Sequence, residues 1–294
     1  MDFFPAKVNT DSPAVIRALL ANPTRIERRI NEMSADRFLV DYVFARTTAE
    51  GGSVLYDRDD EGQYLARDAE AIDAGGEFPK LGGEEVLPHV ARVSKYGGEV
   101  DLSFESVRRG DTADYRRKVT QLANTVVRKT NLVGVEAIRR DADIQTAEIT
   151  TPWTEAAADP ITDLMAAVSQ IDDAELGYET NTVLINPQDV LVLRQREDIR
   201  DALPRENPDL NPLLSKELAG LLSLDWIKSS FVPRGTAWIV DRNNLGSVGD
   251  EEGGVRADTY DEKHRQVHVL QAWRSVVPVI TNPRAAIKLE GFVS

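Results

Sequence analysis

Apolar residues recur along the chain with two periods, one of three and four and one of two, and each change of period marks a change of element. Ser12-Pro13 followed by Val15, Ile16, Leu19 and Leu20 predicts a first helix that Asn22-Pro23 stops, and Thr24-x-x-Glu27 announces a second with a capping box. Residues 1–36 therefore read as a helical arm broken by proline. From Phe38 to Arg46 the residues turn β-branched and aromatic, Glu50-Gly51-Gly52 makes a turn, and Ser53 to Tyr56 returns, which predicts a hairpin within residues 37–77. Strand-like pieces follow from Val86 to Val93 and from Glu99 to Phe104, with Lys95-Tyr96-Gly97-Gly98 read as the turn between them.

A long helix is predicted from Asp111 to Arg139, because Tyr115, Val119, Leu122, Val126, Val133 and Ala137 fall at spacings of three, four or seven. At ~1.5 Å per residue it extends about 40 Å. Asp159-Pro160 caps another helix carrying Ile161, Leu164, Met165 and Val168. Thr182 to Ile185 reads as a strand, Asn186-Pro187 opens a short helix through Leu193, and the proline-broken stretch from Pro204 to Pro212 reads as loop. The run Leu218 to Leu224 fits helix or strand. Thr236 to Val240 is a buried-type strand, Gly246 to Gly254 an acidic, glycine-rich turn, and Gln266 to Trp273, Ser275 to Ile280 and Ala285 to Leu289 are closing strands. The fold class is α+β.

Composition narrows the function. The 294 residues suit two structural units or one elaborate one. No stretch approaches the ~18 apolar residues of a membrane span, and Met1 to Pro5 lacks an export signal, so no membrane partner and no export are expected. Cysteine is absent, which removes disulfides, thiolate metal sites and a cysteine nucleophile. A net charge of −14 argues against a free nucleic-acid-binding protein, while leaving room for a container that encloses DNA without gripping it.

The chemistry-bearing residues form no catalytic pattern. His89, His264 and His268 are the only histidines. Gly246-Ser247-Val248-Gly249 misses the spacing of a nucleophile elbow, and no phosphate loop occurs. His264 and His268 are four apart, the spacing of a zinc pair on a helix, but Gln266 to Leu270 alternates as a strand does, and that reading is preferred. Asp57, Asp59, Glu61 and Asp68 approach a calcium loop around Gly62; without flanking helices the acidic loop tip is the preferred reading. No catalytic residue, cofactor or firm metal site is expected.

Two charged regions oppose each other. Residues 37–77 hold ten acids and four arginines, a net of −6, and no lysine; the long helix carries Arg116, Arg117, Lys118, Arg128, Lys129, Arg139 and Arg140 against Asp111, Asp114 and Glu136, a net of +4. The helix either pairs with acidic hairpins of neighbouring chains or faces packaged DNA, and the matching charge of the hairpin favours pairing.

Several segments in this order carry a resemblance: Val93-Ser94-Lys95-Tyr96-Gly97-Gly98-Glu99-Val100-Asp101-Leu102-Ser103-Phe104-Glu105, Thr182-Val183-Leu184-Ile185-Asn186-Pro187, Gly235-Thr236-Ala237-Trp238-Ile239-Val240-Asp241, Trp273-Arg274, and Pro283-Arg284-Ala285-Ala286-Ile287-Lys288. With the preceding helical arm and polar hairpin, the chain resembles tailed-bacteriophage major capsid proteins of the Hong Kong 97-type fold. The resemblance implies an N-terminal arm over 1–36, an E-loop hairpin over 37–77, a P-domain with a spine helix over 78–150, an A-domain over 151–265 and returning P-domain strands over 266–294.

It also implies a structural protein of the virion that forms hexamers and pentamers of an icosahedral shell around double-stranded DNA, assembled in the bacterial cytoplasm. Encapsulin-type compartments share the fold and are the alternative. Tyr42, Phe44, Tyr56, Tyr64, Arg116, Arg117 and Lys118 are the candidate inter-subunit contacts. The brevity of residues 1–36 implies no fused scaffold. The nearest lysine to the hairpin is Lys80, which argues against an E-loop lysine weld. Separate scaffolding, portal and cementing proteins are the implied partners.

Overall fold

The computed structural model describes residues 17–18, 20–34, 37–58, 69, 71–72, 74, 77–80, 88–173, 176–196, 199 and 221–293. Most of the first predicted helix, the Pro204 to Pro212 loop and residues 218–220 of the Leu218 to Leu224 run lie outside them. Two five-stranded sheets organise these residues, joined by an apolar seam and flanked by helices.

Helix α1 spans Pro23–Ser34 and buries Ile26 and Ile30, one turn apart. It begins at Pro23, one residue ahead of the predicted cap, so Thr24 sits in the first turn. Phe38 to Phe44 is not a strand: α2 runs Leu39–Val43, with Val40 and Val43 buried. Local composition favours a strand there, but the buried pair is spaced three apart, and Asn131 of the long helix clasps the entry. Its Oδ1 accepts from Leu39 N (2.8 Å) and its Nδ2 donates to Arg37 O (2.8 Å).

Strand β1 (Ala45–Thr48) then enters the first sheet, and the turn at Gly51 and Gly52, both with positive φ, leads to β2 (Ser53–Tyr56). The partner of β2 is β3 (His89–Arg92), antiparallel, with Leu55 opposite Val90. The hairpin is thus closed by residues 53–56 and 89–92, and not by the Phe38 to Arg46 segment.

Strand β4 runs unbroken over Ser94–Ser103, through the predicted turn at Lys95-Tyr96-Gly97-Gly98. Gly97 serves contact rather than turning: a Cβ there would lie 2.5 Å from Trp273 Cβ and 2.6 Å from Ala272 O. A short α3 (Phe104–Arg109), capped by the Ser103 hydroxyl accepting from Ser106 N, precedes the long α4 (Thr112–Arg140), capped by Asp111 accepting from Asp114 N (3.0 Å). Strand β5 (Gln145–Glu148), α5 (Pro160–Asp172, capped by Asp159), β6 (Thr182–Ile185) and α6 (Pro187–Gln195, capped by Asn186) follow. A 3₁₀ turn at Leu221–Ser223 leads to β7 (Asp225–Lys228) and β8 (Thr236–Val240).

Strand β9 (Gly246–Asp250) replaces the predicted turn; only residues 251–254 bend. Its glycines again mark close approach, since a Cβ at Gly246 would meet Val279 O at 2.1 Å and one at Gly249 would meet Val54 Cγ2 at 2.3 Å. Strands β10 (Arg256–Glu262), the 14-residue β11 (Val267–Ile280) and β12 (Ala286–Glu290) complete the chain.

The first sheet has the order β1-β9-β11-β10, with β4 on the other side of β11; the second has the order β5-β12-β8-β6-β7. This redraws the expected domain boundary at 265/266. Strands β9 and β10 pair with β11 in the first sheet, whereas β12 pairs with β8 and β5 in the second. The chain crosses between sheets over residues 241–245 and returns over 281–285. At the first crossing the buried Asp241 carboxylate accepts from Glu179 N, Asn243 N, Asn181 Nδ2 and Asn244 Nδ2, and so fixes a loop that has no strand partners.

Helices α1, α3 and α4 pack on one face of the first sheet, where Tyr115, Val119, Leu122 and Val126 meet Leu102, Leu270 and Ala272. The other half of α4 enters the seam: Val135 and Ile138 pack with Val40, Val43, Phe44, Trp238, Val248 and Ile280. Helices α5 and α6 cover the second sheet, with Trp153 stacked on Phe292 at 4.1 Å and donating from Nε1 to Asp163 Oδ2.

Candidate interaction surfaces

Antiparallel partners point to the same side of a ladder, so Leu55 and Val90 form one apolar pair on the hairpin. They are 70% and 61% exposed. On the opposite side Val54 is buried over Gly249, and the Tyr56 and His89 rings lie 5.6 Å apart. The hairpin base is tied down by Arg58, whose guanidinium donates to Asp141 (2.7 Å), the residue capping the end of α4, and pairs with Asp143. Phe78, in the segment between the two strands, is 86% exposed.

The predicted contact residues divide. Tyr42 stands on the surface, but its hydroxyl donates to Asp225 Oδ2 (2.9 Å) and the Arg242 guanidinium lies 4.7 Å above its ring. Burial and then the Asp225 carboxylate raise its pKa above the ordinary tyrosine value. Phe44 is 3% exposed within the seam and is committed to the subunit's own core, which corrects its assignment as a contact. Tyr56 is half-buried; Tyr64 lies outside the described residues.

Arg116, Arg117 and Lys118 are at the surface of α4 near its start. Arg117 and Lys118 both pair with Asp114, at 2.6 and 3.0 Å, and Lys118 Nζ also donates to Asp101 O. Partial burial alone would raise the Asp114 pKa; hydrogen bonds from Lys118 and Arg117 outweigh it and hold the carboxyl below 3.8. Beneath them, burial pushes the Tyr115 hydroxyl up to about 12.

Of the calcium-loop candidates only Asp57 is described, on the surface; Asp59, Glu61 and Asp68 lie outside the described residues. Among the described residues no three His, Cys, Asp or Glu side chains gather as a metal site. His264 is in an exposed turn and His268 on β11, so they share no helix face; the His268 ring packs on Phe104 (4.5 Å) with Nδ1 2.5 Å from Asp261 Oδ1. Ser247 lies in β9, paired with Ala45 and Val279.

One buried site escaped the sequence reading. Arg274, 2% exposed, donates from Nε to Asp250 Oδ2 (2.8 Å) and from Nη2 to Asp41 Oδ1 (2.6 Å), with Phe38 4.4 Å below the guanidinium. It floors a cleft of about 390 Å³ lined also by Asn31, Arg46 and Thr48. Its signal in the sequence is an arginine at an inward position of a strand whose neighbours at the same period are Leu270, Ala272 and Val276. The arrangement links α2, β9 and β11.

A family model described as Phage capsid protein matches residues 86–289. No curated protein matches the chain. Among solved structures, a virus-like particle from Pyrococcus furiosus is similar at 14% identity, covering 91% of this chain and 98% of that one with a TM-score of 0.61. A phage-related protein from Bordetella bronchiseptica RB50 is similar at 11% identity, covering 92% and 97% with a TM-score of 0.65. The capsid of cyanophage P-SCSP1u is similar at 15% identity, covering 86% and 87% with a TM-score of 0.57. At such identities the likeness speaks for the fold.

Proposed function

The chain belongs to the phage capsid protein family and has the Hong Kong 97-type fold, and from that premise we propose that it is the major subunit, closing as hexamers and pentamers around double-stranded DNA. Its role as a capsid shell protein is geometric: many copies of one surface meet around symmetry axes, and the chain does no chemistry.

The observation that carries the reading is the hairpin. A two-stranded ribbon is marginal by itself in water, and this one presents Leu55 and Val90 to solvent as a matched pair. Cover from a neighbouring subunit resolves both problems. In this reading the first sheet with α3 and α4 forms the P-domain, the second sheet with α5 and α6 the A-domain, and the segment from β2 to β3 the E-loop. Residues 1–36 act as the arm. The segment from β2 to β3 carries one lysine, Lys80, and in this reading the shell holds by noncovalent contacts or a cementing protein. Portal and cementing proteins are its further partners in this reading, and assembly takes place in the bacterial cytoplasm.

Electron microscopy and size-exclusion chromatography of the purified protein test this. Closed particles are expected, and the double change Leu55→Asp with Val90→Asp is expected to leave folded subunits that do not assemble. A wild-type protein that stays monomeric under all assembly conditions refutes the proposal. An encapsulin-type compartment is the second reading, favoured by the similarity to a virus-like particle; a cargo enzyme in place of DNA inside the particles would establish it.

A further inference from the structure

Strand β7 is an edge of the second sheet and, among the described residues, pairs with β6 alone. The chain enters it through two consecutive residues in the left-handed region, Leu222 (φ 56°) and Ser223 (φ 56°). That conformation crowds Cβ against the following carbonyl oxygen, so a leucine and a serine side by side there are strained. Three fastenings hold the strand just beyond them. Leu224 is buried in the core of the second sheet, Asp225 N donates to Asn181 O (2.8 Å), and the Asp225 carboxylate reaches outward to α2. It accepts from the Tyr42 hydroxyl (2.9 Å) and from Arg242 Nη1 (3.3 Å), while the Arg242 guanidinium covers the Tyr42 ring. The far end of β7 is fixed, with Ser229 N donating to Ile185 O and Asn186 Nδ2 to Val232 O. Space borders the entry on both sides: a groove of about 480 Å³ meets Leu222 and Leu224 along Met165 and Val168 of α5, and a cleft of about 370 Å³ is lined by Leu39 and Tyr42 of α2 with Ile227 and Phe231.

We propose that Tyr42, Asp225 and Arg242 form a releasable latch on a strained hinge. Closed, the latch holds the entry of β7 against α2; open, it lets Leu222 and Ser223 relax, so that one sequence supplies two shapes of this edge to the unlike positions of a closed shell. The inference rests on the shell reading and adds the element of the subunit that adapts.

Burial decides which tie gives way. Helix α2 is fastened to both sheets, through Asp41 to Arg274 of β11 and through Tyr42 to Asp225 of β7. Opening the first would strand buried charges without partners, so it stays shut. The second lies in water, with the Asp225 side chain 59% exposed, and solvent replaces each hydrogen bond that is lost. Strain at Leu222 and Ser223 offsets part of what the latch still contributes, which brings the two arrangements close in free energy, as a switch requires. The movement stays at the edge, because Leu184 of β6 and Trp238 and Val240 of β8 are buried in the seam and hold the middle of the sheet.

Hydrogen exchange read by mass spectrometry, on free subunits and on particles, tests the latch. In free subunits Tyr42→Phe and Asp225→Ala should each speed exchange of the β7 amides about three- to fivefold while β11 is unchanged, and the double variant should exchange no faster than Asp225→Ala alone. Ser223→Gly, which adopts the left-handed conformation without strain, should slow the same amides about two- to threefold. In closed wild-type particles the peptide spanning β7 should give two mass envelopes, one latched and one released, where free subunits give one.

Unchanged β7 exchange in Tyr42→Phe and Asp225→Ala overturns the latch, and so does a rise shared equally with β11, which is a loss of stability throughout the subunit. Faster exchange in Ser223→Gly overturns the strained hinge. A single envelope in particles overturns the role of the latch in the shell. Failure of the wild type to form particles would instead refute the shell reading itself, with the variants still deciding the latch in the free subunit.

Discussion

Gly134 sits within α4 at a backbone conformation open to any residue, so helix propensity alone says that Gly134→Ala stabilises the protein by about 1 kcal/mol. Packing says the opposite. An Ala Cβ would lie 2.4 Å from Val40 Cγ2 and 3.4 Å from Val40 Cβ, and carbon atoms rest at ~3.5–4.0 Å, so more than an ångström of overlap must be relieved. Val40 is 2% exposed and has no route to solvent. Overpacking of this kind costs roughly 1–3 kcal/mol, which outweighs the propensity gain and leaves a net loss of up to about 2 kcal/mol.

Val40→Ala removes the offending methyls at a cost of about 2 kcal/mol for lost burial and the cavity. In the double variant the new methyl at 134 occupies part of that cavity. The double-mutant cycle should therefore show favourable coupling of about 1–2 kcal/mol, read from urea unfolding of unassembled subunits followed by tryptophan fluorescence. A Gly134→Ala protein more stable than wild type, or a cycle additive to within ~0.5 kcal/mol, would refute the claim that contact with α2 requires glycine here.

Two further outcomes follow from the charged groups. Arg274→Met leaves Asp41 and Asp250, 7% and 9% exposed, without their shared cation; a loss of about 3–5 kcal/mol is expected in the same unfolding assay, and adding Asp41→Asn and Asp250→Asn should recover much of it. A single-site effect below ~1 kcal/mol would mean the cluster is not coupled as drawn. The Asp114 carboxyl, held below 3.8 by Lys118 and Arg117, contributes stability that is fully present above its unfolded pKa and fades as pH falls through its lower folded value. The stability gap between wild type and Asp114→Asn should thus be constant from about pH 7 to 5 and close below about pH 4; a gap that widens on acidification contradicts this.

The sequence was most legible where local pattern and tertiary demand agree. Asp111, Asp159 and Asn186 cap helices where their side chains and the following apolar spacing say they should, and Thr236 to Val240 is a strand buried at every residue. Glycine misled. At Gly97, Gly246 and Gly249 the missing side chain admits another strand, and nothing local separates that use from a turn. Phe38 to Phe44 misled in the other direction, because Asn131 and Gly134, about ninety residues away, decide its conformation.

Strands β5, β7 and β10 went unseen, since edge strands need not alternate and Gln145-Thr146-Ala147-Glu148 has no apolar stripe. On the surface, the charge imbalance of the long helix was readable. That Leu55 faces Val90 was not, because the register that joins them spans residues 57–88.

Strand β11 gives the subunit a mechanical character. Ten of its residues are laddered to β4 on one side, while on the other it passes from β10 to β9 before the chain turns into the second sheet. Hydrogen bonds perpendicular to a strand resist a pull along its axis together, in shear, whereas a pull from the side opens them one at a time. A load entering at the tip of the first sheet is therefore carried along β11 into β12 without a weak link at the sheet boundary. The subunit behaves along this line as a tie rod, stiff in tension, with compliance left to the hairpin at its side.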